Sequence, residues 1–104
     1  MYWFVYIARC NDNTLYTGIT TDLIRRESEH NTNNRLGAKS LRSKRPIRIV
    51  YYEKHGSQAE ARSREIEIKG WKRRYKLQLV LGLPRNFFQK IFWATSSIGR
   101  AIPS

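Results

Sequence analysis

The sequence predicts an α/β (α+β) domain, a three-stranded and mostly antiparallel sheet flanked by helices. Three observations lead there. Residues 2–9, "YWFVYIAR", and 47–53, "IRIVYYE", are rich in the β-branched and aromatic residues that favour strands. Between them "NDN" at 11–13 signals a tight turn into a further strand-like run, 15–19. Two amphipathic stretches, 22–31 and 58–80, carry apolar residues at helical spacing.

Each element has its own local signal. If Asn11, Asp12 and Asn13 form a three-residue hairpin loop with Asn13 left-handed, residue 10 pairs with 14 and 8 with 16. That register places Tyr6 and Tyr16 on one face, whereas a four-residue loop would split them. Thr20, Thr21 and Asp22 offer N-cap oxygens for the first helix. On it Leu23, Arg26 and His30 share a face while Arg25 points elsewhere. Pro46 introduces the third strand, and Ser57 is a candidate cap for the second helix. Gly70 weakens that helix by about 1 kcal/mol against alanine, which allows a break there. Gly82 and Pro84 end it. The expected organisation is one domain over 1–82 and a C-terminal extension over 83–104.

Charge narrows the function. Lys and Arg number 20 against 8 Asp and Glu, a net +12, the balance of a protein with a polyanionic partner. All acids lie at or before Glu67. The 35–48 loop is acid-free and basic, as is the chain from Ile68 onward. Lys39, Arg42, Lys44, Arg45, Lys69, Lys72 and Arg73 are therefore the candidate phosphate contacts. The single cysteine, Cys10, forms no internal disulfide and reads as a packed strand residue. The apolar N-terminus is too short to span a bilayer, so the expected location is cytoplasmic, with no membrane partner.

One residue does not fit its face. Ala61, Ile68, Trp71, Tyr75 and Leu79 form the apolar stripe of the second helix, and Glu65 falls within or beside it. A carboxylate there is costly unless it is salt-bridged to a neighbouring arginine, sits at the stripe's edge, or binds a hard metal ion that takes carboxylate oxygen. Tyr16, Arg26 and His30 are each unremarkable alone. With one glutamate–metal pair, though, they supply what phosphodiester cleavage requires: a base for water, a cation for the phosphorane and help for the leaving oxygen.

The motifs "FVY" (Phe4-Val5-Tyr6) and "YTG" (Tyr16-Thr17-Gly18), followed by the arginine helix, resemble the core of GIY-YIG nucleases over about residues 2–80. The likeness is to the small stand-alone branch related to the nuclease domain of the excision-repair nuclease. By this resemblance the catalytic residues are Tyr6, Tyr16, Arg26, His30 and Glu65, with Glu65 the metal ligand and Gly18 a structural turn. The first signature here lacks its Gly-Ile, and Ile19 stands where some members carry lysine. The asparagine that many members place after the long helix has only Asn86 as a nearby counterpart. The expected activity is a Mg²⁺-dependent (or Mn²⁺-dependent) endonuclease on DNA, branched or damaged, in repair or recombination. Two alternatives stand beside it: a non-catalytic nucleic-acid-binding module of the same fold, and a nuclease directed at RNA.

Overall fold

The computed structural model describes residues 1–82; the expected extension over 83–104, Asn86 included, lies outside them. The chain divides into two compact units, Met1–Trp71 and a second beginning at Lys72. The first holds β1 (Trp3–Arg9), β2 (Leu15–Thr20), α1 (Leu23–Thr32), a 3₁₀ helix (Lys39–Lys44), β3 (Arg48–His55) and α2 (Gln58–Lys69). The strands form one antiparallel sheet in the order β2-β1-β3.

The middle strand explains its own composition. Val5, Tyr6, Ile7 and Ala8 are all fully buried, because both faces of β1 are covered. Tyr6 and Ala8 join Cys10, Leu41 and Ile47 in a cluster that Leu23 of α1 and Tyr16 pack against. Val5 and Ile7 alternate to the other side, that of α2, where Ala61 and Ile68 are also fully enclosed. On that side Arg64 clasps both oxygens of Glu53, the cross-strand partner of Val5, at 2.9–3.2 Å. Arg64 also reaches Glu67 at 2.9 Å and lies over the Trp71 ring. This clasp pins α2 to β3. Beside it, burial and then the bond to Glu53 push the Tyr51 phenol up to about 12, with the Arg64 charge opposing.

The hairpin follows the three-residue solution. Asn13 takes φ 67°, the Cys10 amide donates to the Thr14 carbonyl at 2.9 Å, and Ala8 pairs with Tyr16. Asp22 caps α1 by accepting from the Arg25 amide, and Ser57 caps α2 by accepting from the Glu60 amide. α1 is tied to the start of β3 by side-chain bonds that imitate a ladder. Asn31 exchanges two bonds with the Ile47 backbone, at 2.6 and 2.8 Å, and Glu27 accepts from the Ile49 amide at 2.7 Å.

Three expectations need correction. The single helix over 58–80 is two helices: α2 ends at Gly70, Lys72 is extended, and α3 runs Arg73–Val80 in the second unit. The stripe Ala61–Ile68 therefore does not continue as one face through Trp71, Tyr75 and Leu79. The basic 35–48 segment is not a simple loop but is built around the 3₁₀ helix. Gly18 is not a turn residue either. It sits inside β2 opposite Tyr6, and a Cβ there would stand 2.6 Å from the Tyr6 hydroxyl and 2.8 Å from its ring. The glycine is required by the close approach of the tyrosine, not by backbone conformation. Gly18→Ala should destabilise the domain by about 1–3 kcal/mol, the scale of an overpacked core, with the midpoint of urea unfolding as the measurement. An unchanged midpoint would mean that Tyr6 has room to swing aside.

Candidate active site

The hairpin register and α1 bring three aromatic rings together. Tyr6 and Tyr16 have ring centroids 6.2 Å apart, and His30 stands edge-on to Tyr16 at 5.4 Å. The Tyr6 hydroxyl and His30 Nε2 are 2.7 Å apart. The other ring nitrogen fixes the tautomer. The Ala38 amide donates to His30 Nδ1 at 3.2 Å, so Nδ1 carries no proton and Nε2–H donates to Tyr6 Oη. Gly37 makes this possible. A Cβ there would meet the Glu29 and Asn33 carbonyls at 2.5 and 2.8 Å, so only glycine lets the loop pass close enough to present Ala38.

Burial sets the ionisation of the pair. Burial first, and then the nearby Arg26 charge, pulls His30 down to about 4. Burial first, and then Tyr16, raises the Tyr6 phenol well above its usual value, with the Arg26 charge opposing. Near neutral pH both side chains are thus uncharged hydrogen-bonding groups. The His30 shift predicts a pH dependence of stability. The unfolded histidine, near 6.5, binds a proton that the folded one refuses, so stability should fall as pH drops from about 6.5 towards 4. His30→Gln should flatten that part of the profile relative to wild type, as read by thermal melts at several pH values; parallel profiles would show that His30 ionises freely in the fold.

Arg26 and Arg25 separate as the helix face requires. The Arg25 side chain is 55% exposed and Arg26 only 23%. Arg26 Nη1 donates to Glu29 Oε1 at 3.0 Å and to the Leu36 carbonyl at 2.6 Å. Burial works against its charge, but Glu29 and the two tyrosines outweigh it and keep the guanidinium firmly protonated. Only Nη1 is taken up by Glu29 and Leu36, and the guanidinium also faces the Tyr6 and Tyr16 phenols. The Tyr16 hydroxyl makes no hydrogen bond among the described residues, and its ring is half-buried.

Glu65 lies on α2, which packs against β1 and β2, and it is 8% exposed. It is close enough to Tyr6 to add to the rise in that phenol's pKa. Its ion pair is with Lys69 at 3.3 Å, one turn on, and the Lys69 side chain is 54% exposed. With the lysine half in solvent the pair is screened and gives little support to a buried carboxylate. Its chemistry suits a hard cation that takes one carboxylate and fills its other positions with water and phosphate. No group of three or more His, Cys, Asp and Glu side chains able to hold a metal occurs among the described residues, so Glu65 would be a lone protein ligand.

The GIY-YIG catalytic domain matches residues 2–78. The chain belongs to the GIY-YIG family. It is 44% identical to a UPF0213 protein of Desulfotalea psychrophila over 92% of this chain and 86% of that one. With a UPF0213 protein of Cronobacter sakazakii it shares 48% identity over 77% and 82% of the two chains. The solution NMR structure of a UPF0213 protein from Bacillus halodurans is 42% identical, covers 77% of this chain and 83% of that one, and superposes with a TM-score of 0.49. GIY-YIG membership supports a nuclease in general terms, a hydrolase of nucleic acid, and the family generally depends on divalent metal. No helix among the described residues is long and apolar enough to cross a membrane.

In this GIY-YIG domain the candidate phosphate contacts fare unequally. Lys39 and Arg42 are exposed, and Arg42 also donates to the Asn34 carbonyl. Lys44 is partly engaged, 3.7 Å from Asp12 and 3.4 Å from the Thr14 hydroxyl. Lys69 is taken up with Glu65. Arg45 is a correction: its Nε donates to the His30 carbonyl at 2.7 Å and one terminal nitrogen is buried, so it braces the end of α1 rather than facing a ligand. Lys72 and Arg73 are exposed on the second unit. Sequence reasoning missed Glu29, Gly37 and the Ala38 amide as supports of the site. The one available signal was the Gly37-Ala38 pair seven and eight residues after His30.

Proposed function

We propose that this chain is a metal-dependent endonuclease of DNA, selective for shape rather than sequence. The reading is supported by Tyr16 and Arg26 gathered about the buried Tyr6–His30 pair, with an under-partnered Glu65 near enough to act on the Tyr6 phenol. Tyr6 and His30 are fully enclosed and act as positioning residues: they fix the Tyr16 ring and the floor beneath it. Tyr16 carries the unpartnered hydroxyl and stands beside the attacking water. Arg26 directs its free N–H groups at the equatorial phosphate oxygens, where charge grows as the phosphorane forms. Glu65 would hold Mg²⁺ or Mn²⁺, which would supply stabilisation of the charge that develops on the leaving oxygen. A domain this small has little surface for reading bases, and its exposed cations suit phosphates, which favours branched or damaged DNA and a role in repair or recombination. The test is incubation of the purified protein with supercoiled, flap and junction DNA, and with RNA counterparts, in Mg²⁺ or EDTA. Cleavage of branched DNA that EDTA abolishes is expected. Binding with no cleavage of any substrate would favour the non-catalytic module, and cleavage confined to RNA would redirect the reading to that substrate.

A further inference from the structure

The hairpin end of the sheet carries a feature that the site does not use. Regular antiparallel pairing continued from Ile7↔Tyr51 would set Arg9 opposite Ile49. The register between β1 and β3 instead slips between Ile7 and Ala8, so that Ala8 pairs with Ile49 and Arg9 with Arg48. The irregularity exchanges an apolar partner for a second guanidinium. Like charges directly opposite on neighbouring strands repel. Both arginines are exposed, and neither has an acidic partner among the described residues. Strand irregularities commonly re-aim side chains towards a functional surface.

The two arginines line a notch of about 270 Å³ together with Cys10, Asn11, Asn13 and Pro46. The nearest acid in sequence does not fill it. Asp12 is turned to the Thr14 amide and hydroxyl at 3.1 and 2.6 Å and to Lys44. Those hydrogen bonds to Thr14, more than Lys44, hold its carboxyl below the usual value. The loop amides of Asn11 and Asn13 are spent on the Lys44 and Cys10 carbonyls, so binding in the notch falls to side chains. Two guanidiniums and two carboxamides without a carboxylate form a donor-rich concavity suited to a tetrahedral oxyanion.

We propose that the Arg9–Arg48 notch is a second phosphate subsite, taking a backbone phosphate of the nucleic acid away from the scissile bond. The assignment rests on the nucleic-acid reading above. Arg9 lies three residues along β1 from Tyr6, about 10 Å at ~3.4 Å per residue. Duplex phosphates recur every ~3.4 Å of axis per strand, so a strand crossing the active site is long enough to reach the notch. Such a contact would set the register of the strand at the active site without reading bases.

The test is binding in EDTA, independent of cleavage. The Arg9→Gln/Arg48→Gln double variant should bind a short DNA duplex about tenfold or more weakly, with a log–log salt slope smaller by about 1, as loss of one phosphate contact requires. Its melting temperature should equal or exceed that of wild type, because the repulsion is removed. Titrated into ¹⁵N-labelled wild type, the duplex should move the amides of Asn11, Asn13 and Arg48, whereas inorganic phosphate at the same concentration should not. Wild-type affinity and slope in the double variant would overturn the subsite and leave the nuclease reading intact. Equal shifts with inorganic phosphate would make the notch a free-anion site and overturn its assignment to nucleic acid. A wild-type protein that binds no nucleic acid would remove both readings.

Discussion

Glu65→Gln should abolish metal-dependent cleavage while leaving the fold and nucleic-acid binding nearly intact. The substitution keeps the side chain's volume and hydrogen-bonding capacity and removes only the charge that a hard cation needs. Nothing in the fold depends strongly on that charge. Its ion pair is one turn along α2 with a half-exposed lysine, and the helix is held instead by Ala61, Ile68 and the Arg64–Glu53 clasp. The lysine left behind is half-exposed and solvated, so no uncompensated buried charge results, and the melting temperature should hold or rise. With no cluster of alternative metal-binding side chains among the described residues, no second carboxylate takes over. Lys69→Ala is the control. It breaks the ion pair from the other side and should leave cleavage within a few-fold of wild type. Cleavage by Glu65→Gln at the wild-type rate would trace the activity to another source and favour the non-catalytic binding module. A large drop in melting temperature would instead make Glu65 a structural ion pair.

How much of this was legible in the sequence depended on whether the deciding interaction was local. The hairpin register was readable because Asn11-Asp12-Asn13 fixes loop length, and loop length fixes which face Tyr6 and Tyr16 occupy. Arg26 separated from Arg25, and Glu65 stood out at the apolar stripe, because helical periodicity assigns faces before any partner is known. The break after Gly70 was only half visible. Glycine allows it, but the extended Lys72 that makes two helices of one has no propensity signal of its own. Gly18 was misread for a related reason: a glycine after a strand-like run suggests a turn, and only the pairing with Tyr6 shows the need for empty space. Arg45 looked like another phosphate contact because charge patterning cannot foresee the His30 carbonyl that it serves. The Asn31–Ile47 and Arg64–Glu53 bonds join residues far apart in sequence and were beyond any local reading.

Arg26→Ala should cost about 10²–10³ in kcat, the scale of losing one preorganised oxyanion donor, with KM much less affected. Nη1 is committed to Glu29 and to the Leu36 carbonyl, which anchors the planar group at one end beside the two tyrosines. Such anchoring is what makes a donor preorganised: the reacting phosphate gains its stabilisation without reordering the arginine. Because the energy is realised as charge develops on the phosphorane, the loss should appear in kcat more than in ground-state binding. Arg26→Lys should recover little, since an ammonium cannot keep the Glu29 and Leu36 bonds and present a planar fork at once. Arg25 supplies the internal control. It touches the same carboxylate, Glu29 Oε2 at 3.4 Å, but is largely exposed and turned away, so Arg25→Ala should remain within a few-fold of wild type. Single-turnover cleavage of a junction substrate separates the cases. If Arg25→Ala loses as much as Arg26→Ala, both act only through Glu29 on the shape of α1. If only Arg26→Ala collapses, the guanidinium acts at the phosphate itself.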